Sequence, residues 1–214
     1  MMIKTIISGT ATKRQFALYF FTLLTIFLSL LLLAQSFFPG GFSIYEEYIS
    51  AQGDPVDNPQ GCWFFIFGAG FTGIFLIPFY LYLYRRLSPT TLLISKAFRL
   101  LGIIGSIGLS IVGFFPRGGA VDLIHDIGAD LAFNGSGLAA FCSLIILFRK
   151  LMLKEKWPKI WQFLLLYGTI FGIGLLIPFQ NNSELTQWTG FFILLFWMIG
   201  LFLVIPDLPP HSEK

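Results

Sequence analysis

The feature that most constrains this chain is its succession of apolar runs, several of which reach or exceed the roughly 20 residues a helix needs to cross a bilayer. They fall at about 15–38, 61–85, 96–115, 120–148, 158–179 and 185–205, taking each from its apolar stretch and its breakers. Only 12% of the 214 residues are charged. A soluble domain carries about 25%, so this chain lacks the charge to cover a water-facing surface. The expected fold is therefore all-α: one polytopic membrane domain over residues 1–214, a bundle of six transmembrane helices. The first run follows Lys4, Lys13 and Arg14 and ends near Ala34-Gln35-Ser36, which imitates a signal peptide. At Phe16 to Ala34 it is longer than the roughly 7–15 residues of a signal-peptide core, and it reads as an uncleaved span.

The charges set an orientation. Lys4, Lys13 and Arg14 precede the first span, Arg85, Arg86, Lys96 and Arg99 bracket the second loop, and Arg149, Lys150, Lys154, Lys156 and Lys159 fill the fourth. Arg117 is the exception. The acids Glu46, Glu47, Asp54, Asp57, Asp122, Asp126, Asp130 and Glu184 lie on the Arg117 side. Basic residues concentrate in cytoplasmic loops, which places both termini in the cytoplasm, residues 43–60 outside, and the protein in the cell membrane. Trp157, Trp161 and Trp188 suit interfacial anchors. The segment Ser43 to Gln60 has an apolar side in Tyr45, Tyr48 and Ile49, which favours lying on the interface.

Several motifs resolve to packing. Gly68-Ala69-Gly70-Phe71-Thr72-Gly73 is a literal GxGxxG, but dinucleotide binding needs a preceding strand, and here small residues within a span favour close helix approach. Gly102, Gly105, Gly108, Gly168 and Gly172 read likewise. Leu-Ile-Pro-Phe recurs at 76–79 and 176–179, too short a match to establish an inverted repeat, although Pro78 should kink the second span. Cys62 and Cys142 lie roughly 30 Å apart along the bundle and read as free thiols. The formal acceptor Asn181-Asn182-Ser183 sits too near the membrane for glycosylation.

The informative stretch is the outer half of span 4. Asp122, Asp126, Asp130 and Asn134 recur every four residues, with His125 beside them. At about 100° per residue they form one slowly drifting polar stripe, about 18 Å long. Ionisable groups in a span are costly and by default face a cavity or the bundle interior. Asp122 suits an N-cap, His125 and Asp126 suit either an interfacial or a functional place, and Asp130 with Asn134 lies deeper. Glu46 and Glu47 and the lone outer base Arg117 are the available partners. The expected ligand-binding cluster is thus His125, Asp126, Asp130, Asn134, Glu46, Glu47 and Arg117, with His125 and Asp126 as metal candidates. No catalytic-triad spacing, HExxH or phosphate loop occurs, so no cofactor is named. The short basic loops complement a membrane surface rather than nucleic acid; membrane lipids are the expected partners, with a second copy or another membrane protein as further candidates.

The layout of Ser43-Ile44-Tyr45-Glu46-Glu47-Tyr48-Ile49-Ser50, then Asn58-Pro59-Gln60-Gly61, then Gly113-Phe114-Phe115-Pro116 and His125 with Ala129, Ala132 and Phe133 resembles a six-span family of bacterial and archaeal domains of unknown function. That family neighbours the Frag/DRAM/Sfk group. Its members resemble one another in a Gly-x-Phe-Pro followed by a histidine at the start of span 4, and Pro116 and His125 match those places. The resemblance implies a role in membrane lipid organisation or glycolipid-anchor remodelling, as associated with eukaryotic relatives. The expectation is a lipid-binding or lipid-organising protein with an outward-facing polar site on span 4. Two alternatives stay open: a membrane enzyme on lipid head groups, with His125 as acid/base and Asp126 or Asp130 orienting it or holding a metal, and a small ion- or proton-coupled transporter using Asp130.

Overall fold

The structure, a computed structural model, describes residues 2–88, 92–118, 121–153, 160–176 and 183–205. Among these residues there is no strand; the elements in chain order are α1 (Met2–Ile7), α2 (Lys13–Ser36), a 3-10 helix (Ile49–Gly53), α3 (Cys62–Leu87), α4 (Leu92–Phe114), α5 (Asp122–Met152), α6 (Ile160–Leu176) and α7 (Glu184–Val204). The spans read from sequence match α2 to α7, with the described ends displaced by about four residues at most. Five of these helices, α2, α3, α4, α5 and α7, are long and apolar enough to cross a membrane. The described part of α6 is 17 residues, all but Gln162 apolar or small. Residues 177–179 of the second Leu-Ile-Pro-Phe, Asn181-Asn182, Trp157, the loop bases Lys154, Lys156 and Lys159, and the terminal prolines lie outside the described residues.

Local chemistry sets the ends. Thr12 caps α2 in a reciprocal box with Gln15, and Ser183 caps α7 in the same way with Thr186. Each box satisfies two N–H groups that the first helical turn leaves open. Arg85 and Arg86 close α3 and Arg149 and Lys150 close α5, where cations complement the helix dipole. Inside α3, Pro78 offers no N–H, and one turn earlier the carbonyl of Phe75 accepts a hydrogen bond from the Tyr19 hydroxyl.

Glycine brings α3, α4 and α5 side by side. A Cβ on Gly113 would lie 2.1 Å from the Gly70 nitrogen, and one on Gly108 would lie 2.4 Å from the Ala132 nitrogen. Gly73 meets Ser110, and Gly105 meets Gly135 and Ser136. Lipid tails give apolar helices no hydrophobic reason to associate, so close backbone packing is the attraction that remains. The GxGxxG motif is spent on this packing: Gly68 faces Leu30 of α2, and Gly70 and Gly73 face α4.

α2 packs on α3, and α7 closes the circle. Lys13 Nζ donates to the carbonyls of Ile205 at 2.6 Å and Leu203 at 3.3 Å, tying the start of α2 to the end of α7. Trp197 Nε1 donates to Ser143 Oγ at 3.0 Å, tying α7 to α5. The Tyr167 hydroxyl of α6 donates to the Phe196 carbonyl. The larger apolar core, around Phe16, Phe79, Tyr80, Tyr82 and Trp197, lies toward the end of the bundle carrying Lys13, Arg85 and Arg86. A smaller one, around Phe27, Phe65, Val112 and Trp188, lies toward the end carrying the acids. Both cysteines are free thiols.

Candidate functional site

The segment after α2 does more than lie on the interface. Its 3-10 helix is buried throughout, with Ile49 and Ser50 turned inward, while Tyr45 is exposed. Four polar contacts hold it as a lid. The Ile49 N–H donates to Gln187 Oε1 at 3.0 Å, and Trp188 Nε1 donates to the Glu47 carbonyl at 3.0 Å. Asn58 Nδ2 donates to the carbonyls of Ala34 and Gln52, both at 2.9 Å. Asn58 Oδ1 in turn accepts from the Gly61 N–H at 3.0 Å. One buried side chain thereby joins the end of α2, the lid and the start of α3.

Beneath the lid lies a cavity of about 120 Å³, walled by α2, α3, α4, α5 and α7. The walls are almost wholly apolar: Phe20, Leu24 and Phe27 from α2, Phe65 and Leu76 from α3, Leu109 and Val112 from α4, Phe133 from α5, and Phe191 and Leu194 from α7. No Asp, Glu, Lys or Arg lines it among the described residues. On α5 the lining runs from His125 to Ser136, a rise of about 16 Å. The polar groups gather at two places. Ser50, Gln187 and His125 stand under the lid, and Thr72, Tyr80 and Ser136 stand deeper, where Tyr80 and Ser136 share a hydrogen bond.

His125 is 1% exposed, and its Nδ1 lies 2.9 Å from the Phe115 carbonyl. A carbonyl can only accept, so Nδ1 carries the proton and Nε2 of the neutral ring is left as an acceptor. Ser50 Oγ is buried without a hydrogen-bond partner, and so are both amide atoms of Gln52. An unsatisfied buried hydroxyl costs about 1–3 kcal/mol, which a bound group would recover at Ser50.

The structure divides the polar stripe predicted for span 4. Asp126, Asp130 and Asn134 are exposed on the outside of α5, whereas His125 is buried against the cavity. Helical geometry gives the reason: Asp126 is about 100° around the helix from His125, and Asp130 about 140°. Ala129, Ala132 and Ser136, at four, seven and eleven residues on, share the His125 face and line the cavity with it. Arg117 Nη2 pairs with Asp126 Oδ1 at 2.8 Å, with the side chains 36% and 55% exposed, and its guanidinium lies over the Tyr48 ring at 5.5 Å. Such an exposed pair contributes at most about 1 kcal/mol. Asp122 does not cap α5; its Oδ1 accepts from the Gly118 N–H at 2.9 Å, steadying the preceding turn. Glu46 is exposed and Glu47 sits by Glu184 at the start of α7, so neither forms a cluster with His125. His125 and Asp126 face different ways, and among the described residues no group of three or more His, Cys, Asp or Glu could hold a metal ion.

Glu47 carries a pH signature. Partial desolvation, and after it Asp57, Glu46 and Glu184, raise its carboxyl above the ordinary 4.5. A raised acid makes the folded state hold more protons than the unfolded one between the two values. Its contribution is therefore most favourable below the ordinary value and is lost as pH rises through the raised one. Glu47→Gln is expected to raise thermal stability near neutral pH by less than about 1 kcal/mol, given solvent screening. The gain should vanish in acid; an equal gain at both pH values contradicts this assignment.

Sequence reasoning missed Gln187 and Trp197, and met Ser50 and Asn58 only as members of a motif, without their place at the cavity and the lid. A trace existed for two of them: Asn58 precedes Pro59 at the entrance of a span, and Gln187 is a polar side chain within the last one. The chain matches no family model, no curated protein and no solved structure.

Proposed function

We propose that this protein crosses the cell membrane six times, with α6 as the additional span and the basic end of the bundle in the cytoplasm, and that its cavity holds one apolar chain with an uncharged, hydroxyl-bearing head. The observation that carries the reading is the lidded, almost wholly apolar slot with His125 and Ser50, whose hydroxyl has no hydrogen-bond partner, among the residues at its lidded end. An apolar cavity of about 150 Å³ stays dry and accepts a benzene-sized apolar guest, and this one, at about 120 Å³, suits a short apolar chain of similar bulk. Moving a chain from bilayer to cavity gains little hydrophobic energy, because lipid tails are equally apolar. What it gains is contact with walls that otherwise face a void. Selectivity must then come from the polar end, where His125 accepts and Ser50 can donate. A charged head is disfavoured because no charge of opposite sign lines the slot among the described residues.

The enzyme reading calls on Asp126 or Asp130 beside His125 and the transporter reading on Asp130, and those carboxylates are exposed on the outside of α5. The test of the binding reading is native mass spectrometry of protein purified in mild detergent, with hexanol as the added probe. Wild type is expected to retain hexanol in preference to hexane. His125→Leu should erase that preference, about a tenfold loss for one buried hydrogen bond. Equal retention of both probes by wild type would contradict the polar anchor. Reporter fusions at the C-terminus and within residues 50–56 test the orientation: the first is expected to report cytoplasm and the second the outside.

A further inference from the structure

Asp130 and Asn134 sit one turn apart on the outside of α5, and both side chains are exposed. Neither has a hydrogen bond or ion pair among the described residues. Neighbouring helices give their depth. Gly108 of α4 meets Ala132, which lies between them, and Ser110 of α4 meets Gly73 of α3. α3 is 26 residues long, and Gly73 stands close to its midpoint. At about 39 Å, α3 exceeds the roughly 30 Å of a hydrocarbon layer, so its midpoint falls near the middle of a membrane that it crosses. A carboxyl and an amide at that depth are strongly disfavoured unless they find partners.

The pair belongs to a longer stripe. Ile127, Phe141 and Phe148 share a seven-residue repeat with Asn134 and are 50%, 53% and 53% exposed. Such a repeat stays on one seam of two helices that coil gently around each other. Asn134 holds the position at which a lone asparagine fixes the register of paired helices. Asp130, three residues after Ile127, takes the other inward position of the same seam. Arg117 is engaged by Asp126, and the α5 cations Arg149 and Lys150 lie in the last turn of the helix.

We infer that this stripe is an interface between two copies of the chain, α5 packed against α5. The inference rests on α5 crossing the membrane and on none of the arguments for the cavity. Two copies inserted the same way run parallel, so a two-fold axis along the membrane normal sets Asn134 opposite Asn134. A carboxamide carries both donors and an acceptor and is therefore its own complement. Each amide can donate one N–H to the oxygen of the other and offer the second to an Asp130 carboxyl one turn away. The seam then needs no cation, which suits the placement of Arg149 and Lys150 far from it. Hydrogen bonds of this kind join helices within lipid, where apolar contact alone gives little drive to associate.

The test is Förster energy transfer between full chains tagged at the C-terminus with donor or acceptor, in phosphatidylcholine vesicles diluted stepwise with lipid. Wild type is expected to pair, and Asn134→Leu to pair about tenfold more weakly, because the two-fold axis removes each bond twice. Leucine suits a lipid-facing position, so the thermal stability of the single Asn134→Leu chain in detergent should be unchanged or higher. Asp130→Leu reads the same loss of pairing should Asn134→Leu fail to fold, and Asp130→Asn, which keeps a hydrogen-bonding group, should pair more tightly than Asp130→Leu. Leu18→Ala, on the exposed outside of α2, is the control and should pair like wild type. Leu194→Trp, which fills the cavity, should also leave pairing unchanged, and the reporter fusions test the membrane reading alone, so the readings fail separately. Pairing of both leucine variants at wild-type strength overturns the inference. So does a wild type that stays monomeric in pure lipid, even where native membranes supply a different protein as partner.

Discussion

Asn58→Leu is expected to be among the most damaging single substitutions in this chain. Its amide makes three hydrogen bonds to buried backbone, at Ala34, Gln52 and Gly61. Leucine fills a similar volume and satisfies none of them. Each orphaned buried group costs about 1–3 kcal/mol, so a loss of about 2 kcal/mol or more is expected even if water reaches one of them. The damage should also be local, because the three groups belong to the end of α2, the lid and the start of α3. Hydrogen exchange should show Ile49–Gly53 opening first while α4 and α5 stay protected. A variant with unchanged thermal stability and an unchanged lid would show that Asn58 does not clamp this end of the bundle.

The second large effect is expected at Gly113. A side chain there would drive into the backbone of Gly70 and Ala69, the nearest approach being 2.1 Å. Backbone atoms cannot swing aside like the end of a flexible side chain, so α3 and α4 must separate. Overpacking ordinarily costs about 1–3 kcal/mol, and Gly113→Val should lie at or above that upper figure. Gly137, whose added Cβ would meet nothing within 4 Å, is the control. Gly137→Ala should be neutral or slightly stabilising, since a mid-helix glycine is a poor helix former. Equal effects at the two glycines would refute the close α3–α4 contact.

The spans were legible because a bilayer imposes its thickness on hydropathy, so α2, α3, α4, α5 and α7 emerge close to the limits set by their apolar runs. The packing role of Gly70 and Gly73 was legible for a related reason: within a span, small residues have few other uses. The site was legible only in His125. Residues repeating every four positions look like one face in a sequence, but the face drifts and places His125 well around the helix from Asp126 and Asp130. Nor does sequence spacing reveal that Ser50 and Gln187, 137 positions apart in the chain, meet around one cavity; the Ile49 N–H to Gln187 contact is a tertiary event. Asn58 is similar. Its type suits a turn, but its three backbone partners become neighbours only when α2, the lid and α3 converge.

The central claim is that the cavity itself, rather than the lipid-facing surface, holds an apolar chain. Two tryptophan substitutions separate these. Leu194 lines the cavity, whereas Leu18 of α2 is 63% exposed on the outside of the bundle. The measurement is native mass spectrometry of wild type, Leu194→Trp and Leu18→Trp, each purified from cells in mild detergent and checked for an intact thermal transition. A bound apolar molecule at one copy per chain is expected in wild type and in Leu18→Trp, and is expected to be missing from Leu194→Trp. Retention of the same molecule by Leu194→Trp, or no bound molecule in wild type, would contradict the account.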